Sequence, residues 1–430
     1  MQSRTVWRRL LGVEMTVVED VEFEEDLDGT VTLVASVRPT SRAASRCGRC
    51  GRRAGRYDAG EGRRRWRGLD FGEVQVFLEA DAPRVDCRDH GVTVAAVPWA
   101  RHGAGHTHSF DQQVAWLATQ ASKTAITTLM RIAWRTVGAI ITRYWADTAA
   151  ALDAFAGLRK IGIDEISYKR GHKYLTVVVD HDSGRLVWAA PGRDKATLNS
   201  FFDALAASGE TAGEDRCSLI THVSADGADW IAGVVAERCP DAVRCADPFH
   251  VVKWATDALD EERRTAWNQA RGAVAQRRAG RATGVARDLK GARWALWKNP
   301  EDLTANQTTQ LAWIVKTNPR LYRAYLLKEG LRTVFKLPLK KATEALDKWL
   351  SWARRCRIPA FVKLAKTITK HRPSILAAIE HGLSNGRIES VNTKIRLITR
   401  VAFGFKTPEA LIALAMLNLG GHKPVLPGRS

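Results

Sequence analysis

Two pairs of metal-binding side chains, Cys47-x-x-Cys50 and Cys87-x-x-His90, constrain this chain more than any other feature. Thiolate and imidazole donors at this spacing suit tetrahedral Zn²⁺, and two tight turns can bring such pairs together. The 36 residues between the pairs exceed the commonest zinc-finger spacing, and the alternation in EVQVFLEADAPRVDC predicts a β-hairpin filling the gap. Four protein ligands leave no open position, so the site reads as structural. His102, His106 and His108 follow closely and are alternatives to His90 as fourth ligand. The other cysteines, Cys217, Cys239, Cys245 and Cys356, are scattered. An odd total of seven argues for reduced thiols rather than a disulfide framework.

Charge names a partner class. The 66 Lys+Arg against 46 Asp+Glu leave +20, a surplus that favours an anionic partner, most commonly nucleic acid. A hydrophobic fraction of 45% with 15 Trp excludes a disordered basic tail, because such a chain can bury real cores. No run approaches the ~18 apolar residues needed to span a bilayer, and the N-terminus carries no long apolar stretch. Membrane and secreted readings are therefore poor, and the expected location is the cytoplasm. Ten arginines crowd into Ser41–Gly68, around the first cysteine pair. Among them Arg52, Arg53, Arg64 and Arg65 are candidates for contacting phosphates by charge and fork geometry.

The 430 residues call for several domains. Asp28-Gly29 between two strand-like runs predicts a hairpin. Residues 111–147 turn helical, with a short helix at roughly 124–132 and a further one whose N-cap is Thr136. This is a helix-turn-helix layout, and Arg135 and Thr136 are its DNA-binding candidates. From Leu158 the apolar period switches to two. The predicted order is β-β-β-α-β-α-β, a mixed sheet whose antiparallel meander leads into parallel crossovers. From His250 to about Gly382 the pattern is helical and Trp-rich, a block inserted in or appended to the sheet domain. Its tryptophans (Trp254, Trp267, Trp294, Trp297, Trp313, Trp349, Trp352) pack between helices or stack a splayed base. Helices over roughly Asn385–Arg400 and from Pro408 close the chain. The resulting division is 1–110, 111–150, 158–250, 251–382, 383–420 and a tail at 421–430.

Carboxylates sit where a sheet would present them. Asp164 lies in the strand GIDEIS, and Asp226 ends the strand HVSAD. Ligand and catalytic groups of open α/β sheets gather at the carboxyl ends of strands. Glu165 should face away from Asp164 on a regular strand. A third carboxylate, Glu389, shares a helical stripe with Thr393, Arg396 and Arg400, opposite an apolar side of Ile388, Val391, Ile395 and Ile398. Three such carboxylates supply the hard oxygen donors that Mg²⁺ prefers.

The whole chain resembles the DDE (Asp-Asp-Glu) transposases of bacterial insertion sequences, specifically the ISL-three family. The resemblance rests on the cysteine/histidine pairs followed by HGVTVAAVPWAR, the helix-turn-helix, GIDEISYKRGHKYLTVVVD, SADGADW, CADPFHVVKWATDALDEERR and SNGRIESVNTKIRLITRVAFGFK. It implies a multidomain α+β protein: an N-terminal zinc-binding β unit, a helix-turn-helix, and a ribonuclease-H-like mixed α/β catalytic core interrupted by an all-α insertion. By position the catalytic triad falls on Asp164, Asp226 and Glu389, binding Mg²⁺ or Mn²⁺. Asp247 and His250 match a supporting D-x-x-H element, with Asp247 the rival to Asp226 as second metal ligand.

The activity so implied is metal-dependent cleavage and strand transfer on double-stranded DNA. The zinc and helix-turn-helix units would recognise the element's terminal inverted repeats, and Arg396 and Arg400 would hold phosphates near the scissile bond. Target DNA, a homodimer or higher assembly, and a nucleoid-associated location are implied with it. The rivals are a domesticated DNA-binding regulator without catalysis and a ribonuclease-H-like nuclease without strand transfer.

Overall fold

The computed structural model describes residues 2–209, 215–276 and 281–428. They form two compact units, residues 1–152 with 398–430, and residues 153–397.

The first unit opens with α1 (Gln2–Leu10), which the apolar pattern did not foretell, then β1 (Thr16–Glu25) and β2 (Val31–Pro39). The predicted reversal at Asp28-Gly29 is present: the Asp28 carboxylate accepts the Thr30 N–H at 3.0 Å, and Gly29 takes φ +79°. After β3 (Gly55–Asp58) come β4 (Arg63–Arg67), β5 (Gln75–Asp81), β6 (Arg84–Cys87) and β7 (Gly91–Val94). One sheet runs β1-β2-β5-β4, and a separate three-stranded sheet runs β3-β6-β7. Leu33, Ala35, Val37, Trp66, Val76 and Leu78 form the core of the first. The gap between the two ligand pairs holds β3 and β6 of the second sheet together with β4 and β5 of the first, more than the single hairpin expected.

Three helices follow, α2 (His108–Ala118), α3 (Lys123–Met130) and α4 (Trp134–Ala150). Thr107 and Ser122 cap α2 and α3 through side-chain oxygens. Arg131, left-handed at φ +51°, ends α3 and sets the tight turn into α4. That turn puts Ala133 at the N-cap, so Thr136 lies inside the first turn and does not cap. Buried Phe110, Val114, Ile126, Val137, Ile140 and Ile141 supply the three helices' apolar sides. Asp111, fully buried, accepts Arg101 at 3.1 Å and Arg143 at 3.2 Å, which ties α2 to α4.

The second unit begins with β8 (Lys160–Lys169), β9 (Lys173–Asp180) and β10 (Leu186–Pro191), then α5 (Lys195–Ala207), β11 (His222–Ala225), α6 (Asp229–Arg238) and β12 (Val243–Ala246). The sheet order is β10-β9-β8-β11-β12. β10, β9 and β8 are antiparallel, whereas β8, β11 and β12 are parallel, as the alternation predicts. Ile161, Ile163 and Val178 pack with Phe201, Phe202, Ile231 and Val235 from α5 and α6.

Among the described residues seven α-helices come next, with a short 3-10 turn at Pro300–Asp302: α7 (Pro248–Gln276), α8 (Arg281–Gly291), α9 (Arg293–Trp297), α10 (Ala305–Thr317), α11 (Pro319–Val334), α12 (Leu339–Arg355) and α13 (Pro359–His381). Among the described residues this stretch contains no strand. Its tryptophans mostly pack. Trp349 is buried and donates to the Leu327 carbonyl at 2.7 Å, and Trp254, Trp267, Trp297 and Trp313 lie against the same core. Trp294 and Trp352 are exposed. Lys328 is buried with its ammonium on the carbonyls of Leu296, Trp297 and Lys298, which caps α9. The chain ends with α14 (Gly386–Val401) and α15 (Pro408–Leu419), the latter packing on α4 in the first unit. Among the described residues no helix is long and apolar enough to cross a membrane.

Candidate active site and metal centre

The register of three parallel strands builds the carboxylate site. β11 pairs His222 with Lys160 of β8 and with Val243 of β12. Continuing both ladders by the same count puts Asp164, Asp226 and Asp247 at one level. Neighbouring strands lie ~4.8 Å apart, so on these ladders the three carboxylates fall side by side, Asp226 and Asp247 just past the ends of β11 and β12 and Asp164 midway along β8.

Their environments differ. Asp164 accepts the Glu165 N–H at 2.8 Å and the Asn392 side-chain amide at 2.8 Å. Burial pushes its carboxyl up; the Glu165 amide and His250 pull it down, while Asp226 and Asp247 raise it. Asp226 is half-buried, and one oxygen accepts the Ala228 N–H at 3.0 Å. Asp247 is buried, with one oxygen on the Asn385 N–H at 3.1 Å and the other on His250 Nδ1 at 2.7 Å. Burial would raise Asp247, but the hydrogen bonds from His250 and Asn385 outweigh it and hold the carboxyl below its ordinary value. The same bond lifts His250, against desolvation, with Asp247, Asp226 and Asp164 all favouring its charge.

Glu165 does not simply turn away into solvent. Its carboxylate is buried 3.3 Å from the Arg193 guanidinium. Burial raises it, the Asp226 charge raises it further, and Arg193 offsets part of that. The charge of Asp226 therefore reaches both neighbours on β8.

α14 is docked on this row by two asparagines seven residues apart. Asn385 gives its backbone N–H to Asp247 and takes the Ser224 hydroxyl at 2.6 Å on its side-chain oxygen. Because Ser224 donates there, its oxygen is left to accept from His181 Nε2 at 2.7 Å. Asn392 reaches Asp164, and Ile388 lies so close over Gly162 that a Cβ there would collide with it. Gly162 is thus fixed by the approach of α14. Glu389 falls one turn after Asn385 and one turn before Asn392, on the same side of the helix and exposed. Ile388, Val391 and Ile395 are buried as expected, but Ile398 is only half-buried, and Asn392 joins the buried side. Arg396, Arg400 and Thr393 are exposed.

The structure brings Asp164, Asp226, Asp247 and His250 into one electrostatic cluster, and Glu389 onto the helix that covers it. Asn385, Asn392, Ser224, His181 and Arg193 are members the sequence did not single out. The only available signal was the pair of asparagines flanking Glu389 at helical spacing.

The other centre needs no extrapolation. Among the described residues, Cys47, Cys50, Cys87 and His90 are the group whose donor atoms all lie within 4.8 Å of one another. Cys50 Sγ and Cys87 Sγ are 3.7 Å apart, and His90 Nδ1 is 3.8 Å from Cys47 and 3.6 Å from Cys87. Bonds of ~2.3 Å to sulfur and ~2.0 Å to nitrogen put tetrahedral donors about 3.6–3.8 Å apart, so the four fit Zn²⁺. Arg49 N–H lies 3.4 Å from Cys47 Sγ, an amide bond that favours thiolate. His102 packs against Gly48, outside the donor set, and His108 starts α2.

His106 is instead stacked on Phe110, 5.0 Å between ring centres. Burial, then Arg143 and Arg67, hold it down to about 4 from an ordinary 6.5. It is neutral when folded, so the unfolded chain takes up a proton below about pH 6.5 and stability falls from there toward pH 4. At ~1.36 kcal/mol per pH unit the loss approaches about 3 kcal/mol. Thermal melts of wild type and His106→Gln between pH 7 and 4 should diverge, wild type losing more. Parallel curves would refute the assignment.

The candidate phosphate contacts divide. Arg53 and Arg135 are exposed. Arg52 is exposed but pairs with Asp89 at 2.7 Å, and Arg64 lies over the Trp66 ring at 5.5 Å. Arg65 is bidentate to Glu24 at 2.6 and 2.8 Å and also meets Glu79 at 3.3 Å, so its fork is already occupied by carboxylates. Thr136 is half-buried in the first turn of α4.

Comparison with known proteins adds an independent line. Residues 161–415 match a family described as transposase, residues 95–145 the helix-turn-helix domain of transposase family ISL3, and residues 43–90 the zinc-finger of transposase IS204/IS1001/IS1096/IS1165. The transposase for insertion sequence element IS1557 of Mycobacterium tuberculosis, in two strains, is 64% identical, covering 100% of this chain and 98% of its own. The transposase for insertion sequence element IS1001 of Bordetella parapertussis is 26% identical over 95% of this chain and 96% of its own.

Proposed function

This chain belongs to the ISL3 family of transposases and is a DNA transposase, and from that premise we propose that Asp164, Asp226 and Glu389 form its catalytic triad on a ribonuclease-H-like core. The observation that carries the reading is the parallel register that sets Asp164 level with Asp226 and Asp247, covered by a helix whose two docking asparagines straddle Glu389. The sheet order, three antiparallel strands leading into two parallel ones, supports the same core, with α7–α13 as its insertion before α14.

Crowded carboxylates of this kind fit hard divalent cations such as Mg²⁺ or Mn²⁺. Bound there, two cations would activate the attacking oxygen and stabilise the leaving one. Asp226, with one oxygen engaged only by a local amide, is the better second ligand; both oxygens of Asp247 are already occupied. Asp247 and His250 are then positioning residues that fix the start of α14. Asn392 orients one oxygen of Asp164. Water would cut each element end, and the freed 3′-hydroxyl would displace a 3′-oxygen in target DNA, so phosphodiester bonds are exchanged one for one.

On this reading residues 1–110 carry the zinc unit and 111–150 the helix-turn-helix, together recognising terminal inverted repeats. Arg53 and Arg135 stand among the phosphate contacts, and Arg396 and Arg400 act on α14. A homodimer or higher assembly in the bacterial cytoplasm, on the nucleoid, completes it.

The test is a strand-transfer assay with purified protein, Mg²⁺, labelled DNA carrying the element ends, and supercoiled target. Joined products are expected. Cleavage without joining under any metal favours the nuclease, and binding without cleavage favours the regulator.

A further inference from the structure

Behind the loop that carries Asp226 lies a cleft of about 390 Å³ between α6, β12 and α13. Arg244, Lys370 and His371 line it, together with Asp229 and Ser374. Arg244 and His371 also line a smaller crevice running to Asp226 and Gly227. Trp254 covers Gly227 closely enough to exclude a Cβ, and its ring lies 5.3 Å from that of His371. The cleft is therefore adjacent to the carboxylate row without belonging to it.

Its charges are not balanced. Lys370 pairs with Asp229 at 2.6 Å. Arg244 is half-buried, yet among the described residues its guanidinium has no hydrogen bond and no ion pair. Its five donors are open to solvent and free to meet an anion. Burial works against the Arg244 charge, and Asp229 offsets only part of this. His371 is held below its ordinary value by burial and then by Lys370 and Arg244, which places both cations within its reach. Ser374 spends its proton on the His371 carbonyl at 2.8 Å, so it contributes no donor. Two cations against one carboxylate leave a single positive charge. That matches one phosphodiester, which carries one negative charge, better than a free nucleotide, which carries several.

We propose that Arg244, with Lys370 and His371 at the mouth, forms a pocket for one backbone phosphate of bound DNA, beside the scissile position. The strand would leave the Asp226 loop, pass the start of α6 and seat a phosphate on the guanidinium. This rests on the catalytic reading above for its substrate, but its test does not need cleavage.

Binding of duplex DNA carrying the element ends is measured by fluorescence anisotropy over a range of NaCl, in Ca²⁺, for the full chain and for Arg244→Gln and Arg244→Ala. Removing one phosphate contact should lower the slope of log K on log salt by about 0.9. A scan of single methylphosphonates near the cut should reveal one position that weakens wild type about 5–10-fold and leaves Arg244→Gln unaffected. An unchanged slope, or a methylphosphonate penalty equal in wild type and variant at every position, overturns the proposal. Competition by millimolar inorganic phosphate that abolishes the Arg244 contribution would assign the pocket to free phosphate and overturn it likewise. Thermal melts of both variants must match wild type; Arg244→Gln, close in length and still a donor, guards against misfolding. If wild type binds and cleaves while the slopes agree, this inference alone fails. Failure of wild type to cleave tests the triad instead.

Discussion

Asp164→Asn is expected to reduce strand cleavage by about a thousand-fold or more while leaving the protein folded and bound to DNA. The size follows from removing a carboxylate of a group that acts as a unit, where single losses are nearly total. Stability should hold for a local reason. Burial and two neighbouring aspartates already work against the Asp164 charge, so neutralising it removes a cost. The new amide would meet the Asn392 amide donor, but a flip of that side chain presents its oxygen instead and leaves one buried atom of Asn392 without a partner, as before. Melting temperature should therefore stay level or rise. Asp226→Asn and Glu389→Gln should behave in the same way.

Asp247→Asn should differ. It breaks the hydrogen bond to His250, whose charge Asp247 favours, and weakens the seat of α14, so stability falls by about 2–4 kcal/mol before any catalytic role is considered. The contrast decides between the rival second ligands. A folded Asp247→Asn without cleavage, beside an active Asp226→Asn, would reverse the assignment.

How much of this was legible in the sequence depends on what fixed each residue. Alternation exposed β8, β9 and β10, and the Asp28-Gly29 turn announced its hairpin. The cysteine pairs stated their own site, because the donors lie close in sequence and the spacing encodes the turn. The row formed by Asp164, Asp226 and Asp247 was half-legible. Each aspartate ends or interrupts a strand pattern, but their common level is set by parallel pairing between segments more than sixty residues apart, for Asp164 and Asp226. Asn385 and Asn392 offered only their spacing around Glu389, because an uncharged amide on a polar stripe looks like surface. Only their partners, Asp247 and Asp164, give them meaning. Thr136 was misplaced for the opposite reason: its side chain suits a cap, but the left-handed Arg131 ends the preceding turn earlier and Ala133 takes the position. Arg65 shows that a run of arginines does not equal a run of phosphate contacts when acidic strands lie beside it.

Removing zinc should unfold part of the chain and spare the rest. The sheet β3-β6-β7 has strands of four residues, and its buried side chains amount to little beyond Val85, Thr93, Cys47 and Cys87. So small a core cannot offset the entropy of ordering its backbone. The metal must supply the difference, and structural zinc contributes about 10–16 kcal/mol in zinc-finger peptides. The neighbouring sheet β1-β2-β5-β4 has its own core in Leu33, Trp66, Val76 and Leu78 and should persist. Purified protein should therefore carry one zinc per chain. A strong chelator, or Cys87→Ser, should remove hydrogen-exchange protection from residues 46–58 and 84–95 and leave that of β4, β5 and β8–β12 intact. His90→Ala should lose the metal, whereas His102→Ala, on a ring that only packs against Gly48, should keep it, and Cys356→Ser should be silent. DNA binding should weaken at least tenfold with the metal gone, since the proposed phosphate contact Arg53 lies on the loop it holds. Protection across 46–58 and 84–95 that survives full removal of zinc would show that the sheet stands without it and would overturn the assignment of the four residues as a folding site.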